Sequence, residues 1–212
     1  MGRLPNGPNG PLIGKLGKMS GAKWKNLHYV RSLPETSGKP PSDGQRIQRA
    51  KFALVSRFLK PMKDLVAFSF NDPDVNMTGY NRAQSYILKN AVCGVYPGYR
   101  IHYPSVLISN GFLPNAILPA AAIGDDGNVV FTWTDNSGMG KASPDDFTLL
   151  FVYCEAINQC NHRIGDAIRS RGTVTYNLRL YKGQTIQTWL AFISADEKDI
   201  SPGIFTGEIT IV

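Results

Sequence analysis

The stretch Asn128-Val129-Val130-Phe131-Thr132-Trp133-Thr134 decides the architecture. Its alternation places Val129, Phe131 and Trp133 on one face of a strand, because side chains point to opposite sides at successive positions. Asp125-Asp126-Gly127-Asn128 just before it is a turn signal, as is Lys182-Gly183 further on, since Asp, Asn and Gly tolerate the backbone conformations that tight turns require. Working outward, period-two or apolar runs recur at 147–155, 159–165, 173–180, 185–194 and 204–212, with a first run near 117–123. Short strands at that spacing predict an antiparallel two-sheet domain over 113–212.

Upstream the period changes. At about 100° per residue, Ile47, Leu54, Val55, Phe58, Leu59, Met62 and Leu65 fall on one arc of a helix over 42–66. Arg46, Arg49, Arg57, Lys60 and Lys63 fall on the other arc, and Lys51 projects among the apolar set. Ser42-Asp43-Gly44-Gln45 has the form of a capping box, and Pro61 should bend the helix because it has no N–H to donate. A second helix is expected over 78–92, with Tyr80, Ala83, Ile87, Leu88 and Ala91 on one face and Gly94 as its stop. Short strands are expected at 100–103 and 105–109. Residues 1–41 are broken by Gly and Pro too often for a helix and predict a β-hairpin or extended arm over 15–24 and 27–33. The expected fold is mainly β with two helices (α+β), divided into an arm (1–41), a helical region (42–112) and a sandwich (113–212).

Val129-Val130-Phe131-Thr132-Trp133-Thr134 resembles the second strand of a fibronectin type III domain, where a Trp sits in the core. Thr188-Trp189-Leu190-Ala191-Phe192-Ile193-Ser194-Ala195-Asp196, followed by Ser201-Pro202, resembles that fold's penultimate strand and the loop after it. The resemblance implies a fibronectin type III or immunoglobulin-like sandwich for the C-terminal half and no particular function, since this fold hosts many. The whole chain resembles an uncharacterised bacterial domain-of-unknown-function family. That likeness is carried by Gly10-Pro11-Leu12-Ile13-Gly14-Lys15-Leu16-Gly17, Trp24-Lys25, Val30-Arg31-Ser32-Leu33-Pro34, Gln48-Arg49-Ala50-Lys51-Phe52, Leu88-Lys89-Asn90-Ala91-Val92, Phe131-Thr132-Trp133-Thr134-Asp135-Asn136 and Ala191-Phe192-Ile193-Ser194-Ala195-Asp196. It implies no activity and assigns no functional residues.

The 212 residues contain 42% hydrophobic and 18% charged side chains with 21 Gly and 14 Pro, which excludes wholesale disorder or a coiled coil. The net charge of +7 is unevenly placed. Thirteen Lys and Arg precede residue 64 against only Glu35 and Asp43, a balance of +11, and the remainder carries −4. Lys15, Lys18, Lys23, Lys25 and Arg31 interleave with Trp24, His28 and Tyr29, and the stripe Arg46, Arg49, Arg57 and Lys60 extends the basic surface. Charge beside stackable rings suits nucleic acid. A Gly-rich arm that cannot bury a core of its own suits a protein partner or a second copy equally, and a charged helix face is often merely solvated.

No catalytic motif occurs, and no cofactor, metal or small-molecule substrate is implied. Cys154, Cys160 and His162 have spacing that could begin a metal site but lack a fourth ligand; free thiols are expected, with a Cys154–Cys160 disulfide as the alternative. Asp125-Asp126 and Asp145-Asp146 read as turn chemistry rather than calcium ligands or an acid/base pair. No run approaches the ~18 apolar residues of a membrane span, so a cytoplasmic or particle-associated protein is expected. The leading expectation is a non-enzymatic structural or interaction protein that self-assembles or docks through its arm, with a phage-like or secreted particle as an analogy. A nucleic-acid-binding module is the alternative, and a hydrolase carrying a sandwich accessory domain comes third.

Overall fold

The computed structural model describes residues 2–7, 10–24, 27–34, 38–70 and 76–212. The chain forms two compact units, Met1–Ser42 and Asp43–Val212. In the first, strands β1 (Gly14–Leu16), β2 (Met19–Trp24) and β3 (Leu27–Ser32) form an antiparallel sheet in the order β1-β2-β3. The expected run over 15–24 is thus split by a tight turn in which Gly17 adopts a left-handed φ of 56°, a conformation that costs glycine little. The chain before β1 folds back. Arg3 and Ile13 exchange backbone hydrogen bonds of 2.7 and 2.9 Å, and Leu12 crosses so close to Gly21 that any Cβ there would collide with the Leu12 carbonyl.

The second unit begins with α1 (Asp43–Leu59), a 3-10 turn over Lys60–Met62, α2 (Lys63–Ser69) and α3 (Gly79–Asn90). Pro61 breaks the expected 42–66 helix rather than merely bending it, because its ring and missing N–H end the α-helical bonding at Leu59. Thr78 Oγ1 accepts from the Asn81 N–H at 3.3 Å and starts α3. Beyond α3 the chain turns into β4 (Val92–Cys93), paired with β5 (Arg100–Ile101), so Gly94, at φ 93°, serves that hairpin rather than stopping the helix. Only Arg100–Ile101 of the two strands expected at 100–109 forms. Tyr103–Ser105 is a 3-10 turn around Pro104, and Val106 and Ile108 bury themselves without a ladder.

Seven strands follow: β6 (Ile117–Ile123), β7 (Asn128–Thr134), β8 (Phe147–Cys154), β9 (Gln159–Ile168), β10 (Thr173–Asn177), β11 (Thr185–Ile193) and β12 (Ile204–Thr210). They make two antiparallel sheets in the orders β10-β7-β6 and β12-β11-β8-β9. Between the sheets lie Val129, Phe131 and Trp133 from β7, facing Leu150, Val152, Leu190 and Phe192. This is the antiparallel two-sheet sandwich that the alternation predicted, and the protein is mainly β with helices.

The four-stranded sheet is covered on its other face as well. Val55, Phe58, Leu59, Met62, Leu65, Val66, Ala83 and Ile87 of the helices form one cluster with Leu149, Phe151 and Tyr153 of β8 and Trp189, Ala191 and Ile193 of β11. Successive residues of β8 and β11 therefore enter two different cores, and both strands are buried almost throughout. The boundary expected between 112 and 113 falls inside the second unit, where the apolar faces of the helices share one cluster with β8 and β11.

Candidate functional site

Pairing within the arm fixes which side chains share a face. Lys15 stands opposite Ser20 and Ser20 opposite Arg31; Ala22 faces Tyr29, and Trp24 faces Leu27. Because paired residues and every second residue point the same way, Lys15, Trp24, Leu27, Tyr29 and Arg31 lie on one face. Lys23 lies opposite His28 on the other face, together with Leu16, Met19 and Val30. Lys18 sits in the β1–β2 turn, and Lys25 lies outside the described residues. The interleaving in sequence is thus resolved into two faces, each carrying exposed apolar side chains.

In the second unit Arg46, Arg49, Arg57 and Lys60 are all exposed. Arg46 pairs with Asp43 at 3.2 Å on the surface, an arrangement that contributes little. Lys51 is accounted for by Tyr99, whose ring lies 5.1 Å from its Nζ, a cation–π contact. The side chains near Arg57 include Tyr103, Tyr153 and Glu155 around a small cleft of 80 Å³. Burial pushes the Tyr153 hydroxyl up to about 12, with the Glu155 charge adding and Arg57 opposing. Burial likewise raises Tyr103, reinforced by its hydrogen bond to Glu155. Both phenols stay protonated and serve as packing and hydrogen-bonding groups.

The cysteines are free. Cys160 pairs in register with Tyr153 and Cys154 with Gln159, so the two thiols point to opposite faces of the sheet and cannot bridge. Burial pushes the Cys160 thiol up to about 11, and its Sγ–H donates to the Pro61 carbonyl at 3.2 Å. His162 stands opposite Phe151, and desolvation lowers its pKa. Among the described residues no group of three or more His, Cys, Asp or Glu could hold a metal ion. Asp126 pairs with Arg179 across a turn. Asp146, expected to be only a turn carboxylate, holds a fully buried arginine. Arg169 Nε donates to Asp146 Oδ2 at 2.9 Å, one terminal nitrogen donates to Asn136 Oδ1 at 2.6 Å and the other to the Pro114 carbonyl at 3.0 Å. The only sequence sign of this structural knot is a charged residue amid strand patterns.

The model of the family of unknown function DUF6266 matches residues 11–207. The chain belongs to this family. The match spans the arm, the helices and the sandwich together, as the whole-chain resemblance implied. No curated protein matches the sequence. Among solved structures, the fn3 domain of human collagen alpha-1(XX) chain, determined in solution, is similar at 13% identity, covering 47% of this chain and 85% of that chain with a TM-score of 0.35. Among the described residues of this DUF6266 member, no helix is long and apolar enough to cross a membrane.

Proposed function

We propose that this protein is a non-enzymatic interaction protein whose N-terminal sheet docks onto a second copy of the chain or onto a protein partner. One observation carries the proposal: both faces of a sheet with strands of three to six residues present large apolar side chains to solvent. Leu27 is 66% exposed, Val30 53% and Leu16 52%, and Met19, Trp24 and Tyr29 are exposed beside them. Fully burying such a side chain stabilises by roughly 1.5–3 kcal/mol, and exposed apolar side chains grouped on a face mark interaction sites. Among the described residues no strand pairs with the outer edge of β3. That edge can accept an added strand through its main-chain groups.

Light scattering on the full chain, on a chain starting at Glu35, and on the double variant Leu27→Glu/Val30→Glu tests the proposal. Assembly by the full chain alone is expected; three identical monomers, with no partner retained by the full chain, would sink it. The nucleic-acid reading keeps one supporting observation, the common face of Lys15, Trp24, Tyr29 and Arg31. It requires salt-dependent affinity at about 50 mM salt that Lys15→Glu/Arg31→Glu abolishes while leaving assembly intact.

A further inference from the structure

The helical layer carries a second surface, independent of the arm. A groove of 510 Å³ beside α1 and α3 is lined by Gln48, Arg49, Phe52, Ala53, Ser56 and Leu88. Gln48, Phe52 and Ser56 are spaced by four and form one row on α1, with Arg49 and Ala53 in the next row, since residues three or four apart are neighbours on a helix. Gln84 of α3 donates to Ser56 Oγ at 2.9 Å, which joins the two helices beside the groove. Phe52 is nevertheless 52% exposed. Phe52 is not among the residues of the helix–sheet core.

One rim is cationic. Arg49 lines the groove, and Arg46 and Arg57 follow on the same exposed arc of α1, whose only acid is Asp43. Asp43 is taken by Arg46. Lys60, one residue past the end of α1, is exposed as well; among the described residues neither it nor Arg49 makes an ion pair. We infer that this groove docks an acidic amphipathic segment of another protein, its apolar side chains over Phe52, Ala53 and Leu88 and its carboxylates against Arg49 and Lys60. Charge complementarity selects the acidic partner. The openness that leaves Phe52 half in solvent suits the face of a helix laid into a groove, whereas a small ligand needs enclosure. Single-stranded nucleic acid needs successive rings for stacking, and this groove offers one.

The probe is a synthetic amphipathic helix with Leu at positions i, i+4 and i+7 flanked by Glu, labelled for fluorescence anisotropy and titrated with the full chain. Saturable binding that weakens with salt is expected. Arg49→Glu should weaken it roughly tenfold or more, and Phe52→Ser by a similar factor. A peptide with every Glu replaced by Gln should bind at least as poorly. The inference is overturned by absent binding, by equal binding of the Gln peptide, by an Arg49→Glu variant that binds normally, or by single-stranded RNA displacing the peptide. Arg49 is exposed, so its variant folds and decides the matter even if Phe52→Ser does not. The arm variant Leu27→Glu/Val30→Glu should bind the probe unchanged, which separates failure here from failure of the arm proposal.

Discussion

Replacing Asp146 by Asn tests the account of how the sandwich is closed at one end. Arg169 is 0% exposed, its guanidinium carbon lies 3.9 Å from the centre of the Phe192 ring, and its backbone carbonyl accepts from Trp133 Nε1 at 2.7 Å. Burial pulls the guanidinium below its ordinary pKa, while the hydrogen bond and charge of Asp146 oppose that pull. The amide side chain would keep the shape and one acceptor but leave a buried cation without its counter-charge. Breaking such a pair costs about 3–5 kcal/mol, and Coulomb attraction of about 4 kcal/mol at 4 Å with an effective dielectric of 20 gives the same size. At about 2–4 °C per kcal/mol for a unit of this size, Tm should fall by roughly 6–20 °C. The assay is thermal and urea unfolding followed by tryptophan fluorescence, with Lys141→Ala as control. Lys141 makes an equally short contact to Asp199, 2.9 Å, but on the surface, and its loss should cost less than about 1 kcal/mol. An Asp146→Asn variant no less stable than Lys141→Ala would refute the reasoning.

Two further outcomes follow from local geometry. Gly79→Ala should lower the urea midpoint by the equivalent of about 1–3 kcal/mol, because the new Cβ would meet the Ala67 carbonyl and lie 2.8 Å from the Val66 carbonyl; an unchanged midpoint would show that α3 moves away freely. In the loop after β11, hydrogen bonds from Ser194 Oγ and from the Lys198 side chain and backbone hold the Asp196 carboxyl down at about 2. Since this lies below the value of about 3.9 in an unfolded chain, the loop's contribution to stability is present above about pH 4 and lost as pH falls through about 2. Carboxyl-carbon NMR should place the titration midpoint near 2, and a midpoint near 3.9 would contradict the hydrogen-bonded turn.

Strand β7 was legible to the residue, because a half-buried strand writes its alternation directly into the chain. The helices were legible for the same reason at period 3.6, including Lys51, whose misplaced charge is answered by Tyr99. What escaped was the second cover of the central sheet. The unbroken apolar run Leu149-Leu150-Phe151-Val152-Tyr153-Cys154 is the signal of a strand buried on both faces, and it would have joined the helices to the sandwich. Arg169 escaped because its partners lie 23, 33 and 55 residues away. In the arm, Lys23 and Trp24 are neighbours in sequence and fall on opposite faces, so a basic aromatic cluster read along the chain becomes two separate surfaces.

The amino-acid sequence by itself determined that the chain is mainly β with helical segments after the arm, where most of the sandwich strands lie, and that the basic charge sits in the first third. These follow from propensity and periodicity within a few residues of each position. Only the tertiary structure decided that the helices cover the second face of the four-stranded sheet, that Cys154 and Cys160 point apart, and that Phe52 is left in a groove while Phe58 is buried. Each depends on which distant surface packs against a given side chain, and that choice is made by the burial of whole faces rather than by any local stretch of residues.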